Sequence, residues 1–428
     1  MYWRFIDRKL RAALDDTRVV LLAGARQTGK STLAQAIAAE RGGQYVTLDD
    51  PAAAGLARAD ATALVRSAGD FLVIDEVQHA PQLFPALKME VDRDRRAGRF
   101  LLTGSANVLL LPRISESLAG RIEIMTLDPL SQVELQTEAN AAPPSAEASF
   151  VASLFDESEW RLATLPVDRI DICRRVLAGG FPEAVARPTG ERRDAWFRSY
   201  VTSLLQRDVR DLANIEGLTD MPRLLALLAA RATALLNMSE VSRACGLAHS
   251  TLRRYLALLE AAFVLRPLPA WSVNIGKRLV KAPKVHLLDA GLTAHLQGHG
   301  DPAALAASPA IGPLLETFVL QEVRHQIGTG KGSAAPYHFR SVTGQEVDIV
   351  IEGSGRRIAG LEVKAAATLA RSDIAGMQTL ADAAGAKFTR GAVLYLGEKQ
   401  MPLADKIWAV PVSALWHRGP RRVGLARR

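Results

Sequence analysis

The sequence predicts an α/β protein with a parallel-sheet phosphate-binding domain and helical extension, a helix-turn-helix with a wing, and a second α/β domain. Three observations predict it. Residues 18–40, "RVVLLAGARQTGKSTLAQAIAAE", run from a β-branched apolar stretch through a glycine loop into an apolar-periodic helix. Residues 238–272 read as two helices around a glycine followed by a strand-like run. Residues 337–365 place two apolar runs on either side of "GSGR", a hairpin signal. A chain of 428 residues fits about two or three domains.

Composition narrows the class. With 48% apolar residues the chain can bury sizeable cores. Cys173 and Cys245 lack metal-ligand spacing and suit thiols in a reducing cytoplasm. The opening "MYWRFIDRKLRAALDDTR" is charged throughout and has no apolar core of signal-peptide length. The longest apolar helical run, "LLALLAARATALL", is interrupted by Arg231 and is too short to span a bilayer. A soluble cytoplasmic protein without membrane contact is expected. The net charge of +8 points to a polyanionic partner, although the tail "RGPRRVGLARR" supplies five arginines that read as a solvated tail. More informative are residues 253–284, where seven Arg and Lys accompany one acid, Glu260.

The first domain begins with the glycine loop. It fits G-x-x-x-x-G-K-[ST] at Gly24, Gly29, Lys30 and Ser31. Glycines let backbone N–H groups close around phosphate oxygens, and the following helix adds its positive dipole end. Gly24, Ala25, Arg26, Gln27, Thr28, Gly29, Lys30, Ser31 and Thr32 are therefore expected around the nucleotide, with Lys30 at the β- and γ-phosphates and Ser31 on Mg²⁺. "DFLVIDEVQHAP" reads as a buried parallel strand whose tip faces the ligand. There Asp75 would hold Mg²⁺ and Glu76 would orient and polarise the attacking water. A third strand, "GRFLLTGSAN", ends at Thr103-Gly104-Ser105, whose hydroxyls would face the γ-phosphate or the water, or belong to an ordinary turn. Arg121, in "SESLAGRIEIMTL", is either a group that stabilises transition-state charge or a surface arginine at a helix end.

Together "GARQTGKSTL", "IDEVQHAP", "LTGSAN" and "SLAGR" resemble the AAA+ ATPases, and within them a bacterial and archaeal subfamily, over roughly residues 1–135. The resemblance implies ATP with Mg²⁺ as cofactors, a sensor role for Ser105, self-assembly into a homo-oligomer, and Arg121 as a finger acting on a neighbouring subunit. "GGFPE" and a helix ending in "QRDV" are similar to stretches of the same subfamily, and structural packing is expected of them.

The middle of the chain is a linker followed by helices. Residues 136–150, "QTEANAAPPSAEASF", have linker composition. In 238–272, Gly246 marks the turn and Ser250 the expected N-cap of a second helix. "FVLRPLPAW", the basic "SVNIGKRLVKAPK" and "VHLLD" would supply the strand, loop and strand of a wing, so the region resembles a winged helix. Such a domain would aim Arg253 and Arg254 at double-stranded DNA and set Lys277, Arg278, Lys281 and Lys284 against phosphates. A protein partner is the alternative for the same module.

In the last domain, a hairpin centred near Gly355 would pair Asp348 with Glu362 across two strands, with Lys364 on the same face as Glu362. Facing carboxylates repel, unless a divalent metal sits between them or Lys364 neutralises one. Asp348, Glu362 and Lys364 resemble the core triad of the PD-(D/E)xK nuclease superfamily, with Glu316, or Glu322 on the same helix, as the extra carboxylate. The resemblance extends to a domain of unknown function that follows this ATPase type. The expected organisation is thus an AAA+ domain over 1–135, a linker and lid-like helices over 136–220, a winged helix over 221–300 and a restriction-endonuclease-like domain over 301–428. Its expected activity is ATP hydrolysis that controls DNA binding, with metal-dependent DNA cleavage or a protein-binding switch as further readings.

Overall fold

The computed structural model describes residues 1–67, 69–105, 118–137, 149–156, 160–209, 219–329 and 334–417. Most of the linker, 138–148, and the arginine tail, 418–428, lie outside the described residues. The chain divides into two compact units, each made of separated segments. One comprises Met1–Leu130, Gly180–Leu227 and Met238–Arg266, the other Ser131–Gly179, Leu228–Asn237 and Pro267–Arg428. No helix among the described residues is long and apolar enough to cross a membrane.

The first unit carries the expected parallel sheet. Its strands β1 (Val19–Ala23), β2 (Gln44–Thr47), β3 (Leu72–Asp75), β4 (Phe100–Gly104) and β5 (Ile122–Thr126) lie in the order β2-β3-β4-β1-β5, and all neighbours are parallel. Every residue of β1, β3 and β4 is buried, which is why these segments read as continuous apolar runs. On one face Leu33, Ala34 and Ile37 of the helix Lys30–Glu40 pack with Val20, Leu22, Val73 and Leu101. Leu10 and Leu14 of the N-terminal helix Asp7–Asp16 join them. Each such leucine contributes about 1.5–3 kcal/mol by burial. The register aligns Leu22 with Thr103 and Thr47 with Asp75, so the C-terminal ends of the strands form one edge.

"GGFPE" serves packing in the structure. Phe181 is fully buried and sits among Trp196, Phe197 and Tyr200 of the helix Gly190–Ser203. The helix-turn-helix segment forms as Met238–Cys245 and His249–Ala261 around Gly246, whose φ of +70° favours glycine. Ser250 is not the N-cap: the second helix starts two residues earlier than a Ser250 cap would place it, after Ala248, and no side chain caps it.

The expected wing strands do not form. Residues 264–289 contain isolated bridges, Leu268 with Lys284 among them, and the short helix Ile275–Val280 stands where the basic loop was expected. Pro267 and Pro269 explain the first loss, since neither can donate to a ladder. Asn274 explains the helix, because its side chain accepts from the Gly276 N–H at 2.9 Å as an N-cap.

The second unit holds a six-stranded mixed sheet. Strands β6 (Ala335–Arg340), β7 (Glu346–Glu352), β8 (Ile358–Lys364), β9 (Phe388–Tyr395), β10 (Met401–Ala404) and β11 (Ile407–Pro411) lie in the order β10-β11-β9-β8-β7-β6. The β7–β8 hairpin pairs Ile349 with Leu361 and Glu352 with Ile358 around Gly355. The pairing ends at Ile349 and Leu361, next to Asp348 and Glu362, and the Asp348 side chain accepts the Val363 N–H across the two strands. Met377 and Leu380 of the helix Ala375–Ala384 pack on this sheet with Val350, Ile358, Phe388 and Val393. Gly360 and Gly391 let Met377 approach, since a Cβ at either would collide with its side chain. The helix Ile311–Thr329 also packs against β8.

Candidate functional site

The phosphate loop joins the end of β1 to the helix Lys30–Glu40. Three left-handed or mirror-region residues shape it: Gly24 at φ +155°, Gln27 at +62° and Gly29 at +96°. Gly24 is indispensable twice over, because a Cβ there would also run into the carbonyl oxygen of Leu127. The loop is braced from inside. The Thr28 hydroxyl donates to the Ala25 carbonyl at 3.0 Å, and the buried Arg4 guanidinium donates to the Thr28 carbonyl at 2.7 Å. Lys30 is 3% exposed and its Nζ donates to the Ala25 carbonyl at 2.9 Å.

At the tip of β3, Asp75 collects hydroxyls. Ser31 Oγ lies 3.0 Å from both carboxylate oxygens, Tyr45 Oη donates at 2.8 Å, and the Thr103 hydroxyl donates as well. Burial, with the Asp75 contact behind it, raises the Tyr45 hydroxyl above its ordinary range and keeps it a neutral donor. A serine hydroxyl and a carboxylate are oxygen donors of the kind Mg²⁺ selects, so this pair fits that ion.

Glu76 follows in the left-handed region at φ +56°, an unusual conformation for a residue with a side chain. Its backbone N–H donates to Thr103 Oγ1 at 3.0 Å, and its Oε2 accepts from Gln78 Nε2 and from the Ser105 N–H at 3.3 Å. Gln78 Nε2 also reaches Ser105 Oγ at 2.9 Å. Burial pushes the Glu76 carboxyl up, but the Lys30 charge, bonds from Gln78 and Ser105 and the Arg26 charge outweigh it and hold the group below its ordinary range. A buried, ionised and oriented carboxylate results.

The structure thus brings together the loop, Ser31, Asp75, Glu76 and Ser105. Thr103 does not face outward: its hydroxyl is fully buried and is used by Asp75 and the Glu76 backbone. Arg121 is held elsewhere, by Asp92 at 2.6 and 3.0 Å. Sequence reasoning missed Tyr45 and Gln78. The parallel pairing of β2 with β3 exposes the first, and the three-residue turn after Glu76 exposes the second.

A second polar cluster lies in the other unit. Lys284 Nζ donates to Glu316 Oε1 at 2.8 Å and to Asp348 Oδ1 at 2.9 Å. Asp348 Oδ2 accepts the Val363 N–H at 3.0 Å, and Glu362 Oε1 accepts from Lys364 Nζ at 2.8 Å. Glu362 Oε2 is buried without a partner. Burial and the Asp348 charge push both Glu316 and Glu362 above the usual carboxylate range. Burial works against the Lys284 charge, yet Asp348 and Glu316 overcome it and hold the amine protonated. Of Glu316 and Glu322, only Glu316 joins this cluster. Glu322 is turned away, accepting the Gln132 N–H at 2.9 and 3.1 Å, and burial raises it to about 7.

The basic cluster is redistributed by this arrangement. Lys284, expected at a DNA phosphate, is 4% exposed and bonded inside the protein. Arg278 pairs with Glu352 at 2.6 Å and lies over the rings of Trp271 and Tyr337. Lys281 donates to the Arg340 carbonyl at 3.1 Å. Arg253, Arg254, Lys277 and Lys281 remain exposed.

An AAA domain family model matches residues 16–136, and two domains of unknown function, DUF8612 and DUF4143, match 169–303 and 311–415. The chain is 32% identical over 410 residues to the uncharacterized protein Rv2008c of Mycobacterium tuberculosis, covering 95% of this chain and 83% of that one. The uncharacterized protein Mb2031c of Mycobacterium bovis matches with the same identity and coverage. Among solved structures, the Thermotoga maritima RuvB Holliday junction branch migration motor is 20% identical and covers 62% of this chain and 89% of that chain. Its TM-score of 0.29 is too low to carry a functional comparison.

Proposed function

The chain belongs to the family of the uncharacterized mycobacterial proteins Rv2008c and Mb2031c and carries an AAA+ ATPase-type domain; from that premise we propose that it hydrolyses ATP with Mg²⁺ and that its nucleotide state controls binding to DNA. The observation that carries the ATPase reading is the meeting of Ser31 with Asp75 beside an ionised Glu76.

In this reading the N–H groups of the Gly24–Thr32 loop close around the phosphates. Lys30 exchanges its bond to Ala25 for phosphate oxygens. Ser31 and Asp75 would hold Mg²⁺, which supplies charge neutralisation on the phosphates. Glu76 orients the attacking water and draws on its proton, while Gln78 and Ser105 keep the carboxylate in place. Ser105 is also near enough to Gln78 to report on the γ-phosphate through the same contact. Arg121 acts on a neighbouring copy of the chain, for which it must leave Asp92.

Lys30→Ala is expected to abolish ATP binding, and Glu76→Gln to retain binding without turnover. Normal turnover by Glu76→Gln would overturn the assignment of roles.

Arg253, Arg254 and Lys277 would carry the contact with double-stranded DNA, and the affinity should then fall with salt and differ with and without ATP. A switch that grips a protein partner is the second reading. The internal bonds of Arg278 and Lys284 favour it, since they withdraw two of the six expected DNA contacts. ATP turnover indifferent to DNA, together with DNA binding unchanged by neutralising Arg253, Arg254 and Lys277, would decide for the protein partner.

A further inference from the structure

The triad Asp348, Glu362 and Lys364, with Glu316, implies a divalent metal between the carboxylates. The residues present do not fit one. A hard cation needs several oxygens at about 2.0–2.6 Å, whereas here the space between Glu316 and Asp348 is bridged by an ammonium at 2.8 and 2.9 Å. The other oxygen of Asp348 is taken by the Val363 N–H, and one oxygen of Glu362 by Lys364. Among the described residues, no group of three or more His, Cys, Asp and Glu is placed to hold a metal ion.

We infer that Lys284 is the built-in cation of this cluster, its ammonium standing where a metal-dependent nuclease would bind its metal, so that the cluster neither binds divalent metal nor cleaves DNA. Charge agrees with this. Lys284 and Lys364 set two ammonium groups against the three carboxyl groups, so the cluster keeps little of the negative charge that draws in a metal. Lys284 is also fixed at its root rather than swung in from the surface. Its backbone exchanges bonds with Leu268 at 2.9 and 3.0 Å, the Pro283 carbonyl accepts from the Leu236 N–H at 2.8 Å, and the Val285 N–H donates to the Ala234 carbonyl at 2.8 Å. With the backbone tied down on both sides and the side chain 5% exposed, the amine is held at its root by these bonds and at its tip by Glu316 and Asp348. A buried lysine between two carboxylates is costly to uncover, because removing it leaves like charges facing each other out of water. The cluster therefore clamps the segment carrying Lys284 onto the helix of Glu316 and the strand of Asp348.

The test is Mn²⁺ uptake by the nucleotide-free full chain, followed by the loss of the free-ion signal in electron paramagnetic resonance. It is independent of the ATP reading, because no nucleotide is added and only differences between variants at this cluster are read. The parent and Asp348→Asn are expected to take up the same amount of Mn²⁺. Lys284→Met is expected to take up one ion more per chain, and Lys284→Met with Asp348→Asn to lose it again. One ion more in the parent than in Asp348→Asn or Glu316→Gln would overturn the inference, and that comparison stands even if Lys284→Met does not fold. A folded Lys284→Met that gains no ion would also overturn it, as would Mn²⁺-dependent nicking of supercoiled plasmid by the parent that Glu362→Ala abolishes.

Discussion

Ser31 and Asp75, 44 positions apart in the chain, meet with the serine hydroxyl 3.0 Å from both carboxylate oxygens. The contact sets the spacing between the phosphate loop and the tip of β3, and Thr103 completes it from β4 by donating to the same carboxylate. Side chains outside the phosphate loop therefore fix the geometry of this pair.

Thr103→Val keeps the shape of the side chain but removes the donor to Asp75 and the acceptor for the Glu76 N–H. The Mg²⁺ concentration for half-maximal ATP turnover is expected to rise about 10- to 100-fold, the range for losing an orienting partner of a metal ligand. Nucleotide binding without Mg²⁺ should be retained. A Mg²⁺ titration of turnover checks both, and an unchanged midpoint would remove Thr103 from this role.

Gln78→Ala removes one of the bonds that hold the Glu76 carboxyl below its ordinary range. The group then titrates at higher pH, and with Glu76 as the proposed base turnover would require its ionised form. The acid limb of the kcat profile should move to higher pH, with a smaller change at alkaline pH. A purely structural role would lower turnover equally at every pH.

Gly24→Ala is expected to destabilise the protein by more than about 1 kcal/mol, the least cost of a Cβ at a positive φ that it cannot adopt. The added Cβ also meets the Leu127 carbonyl, so the loop must shift. Thermal unfolding and ATP affinity should both fall. A variant with parental stability and affinity would show that the loop has another conformation open to it.

His338 gives stability a dependence on acid. Burial lowers it to about 4 from an ordinary 6.5, so the folded state prefers the neutral ring. Between those values the unfolded chain binds the extra proton. Stability is thus complete above pH 6.5 and is lost as the pH falls towards 4. His338→Gln, which keeps a donor for the Ala282 carbonyl, should flatten the slope of unfolding free energy over that window. An identical slope in both proteins would place the acid sensitivity elsewhere.

What the sequence made legible follows from how local each signal is. The phosphate loop, Asp75 and Glu76 were legible because glycine conformation, strand burial and strand-end position are written within short windows. The β7–β8 hairpin around Gly355, which brings Asp348 and Glu362 near each other, was legible because a hairpin has a centre and strands have period two. Lys284 was not, since its partners lie 32 and 64 positions away on other elements, and nothing near "KAPK" signals burial. The wing failed for a local reason that was present but outweighed: two prolines within an apolar run. Arg121 kept two readings because an arginine beside a strand looks alike whether it faces an aspartate or a neighbouring molecule.

The interleaving of the two units bears on how such a chain can be cut or recombined. It passes from one unit to the other at Leu130, Gly179, Leu227, Asn237 and Arg266. A fragment ending at Arg266 keeps all of the first unit but strands two segments that belong to the second, and one beginning at Ser131 does the reverse. Gene fusions or deletions that respect only the sequence order of the parts would therefore leave segments of each unit without their partners.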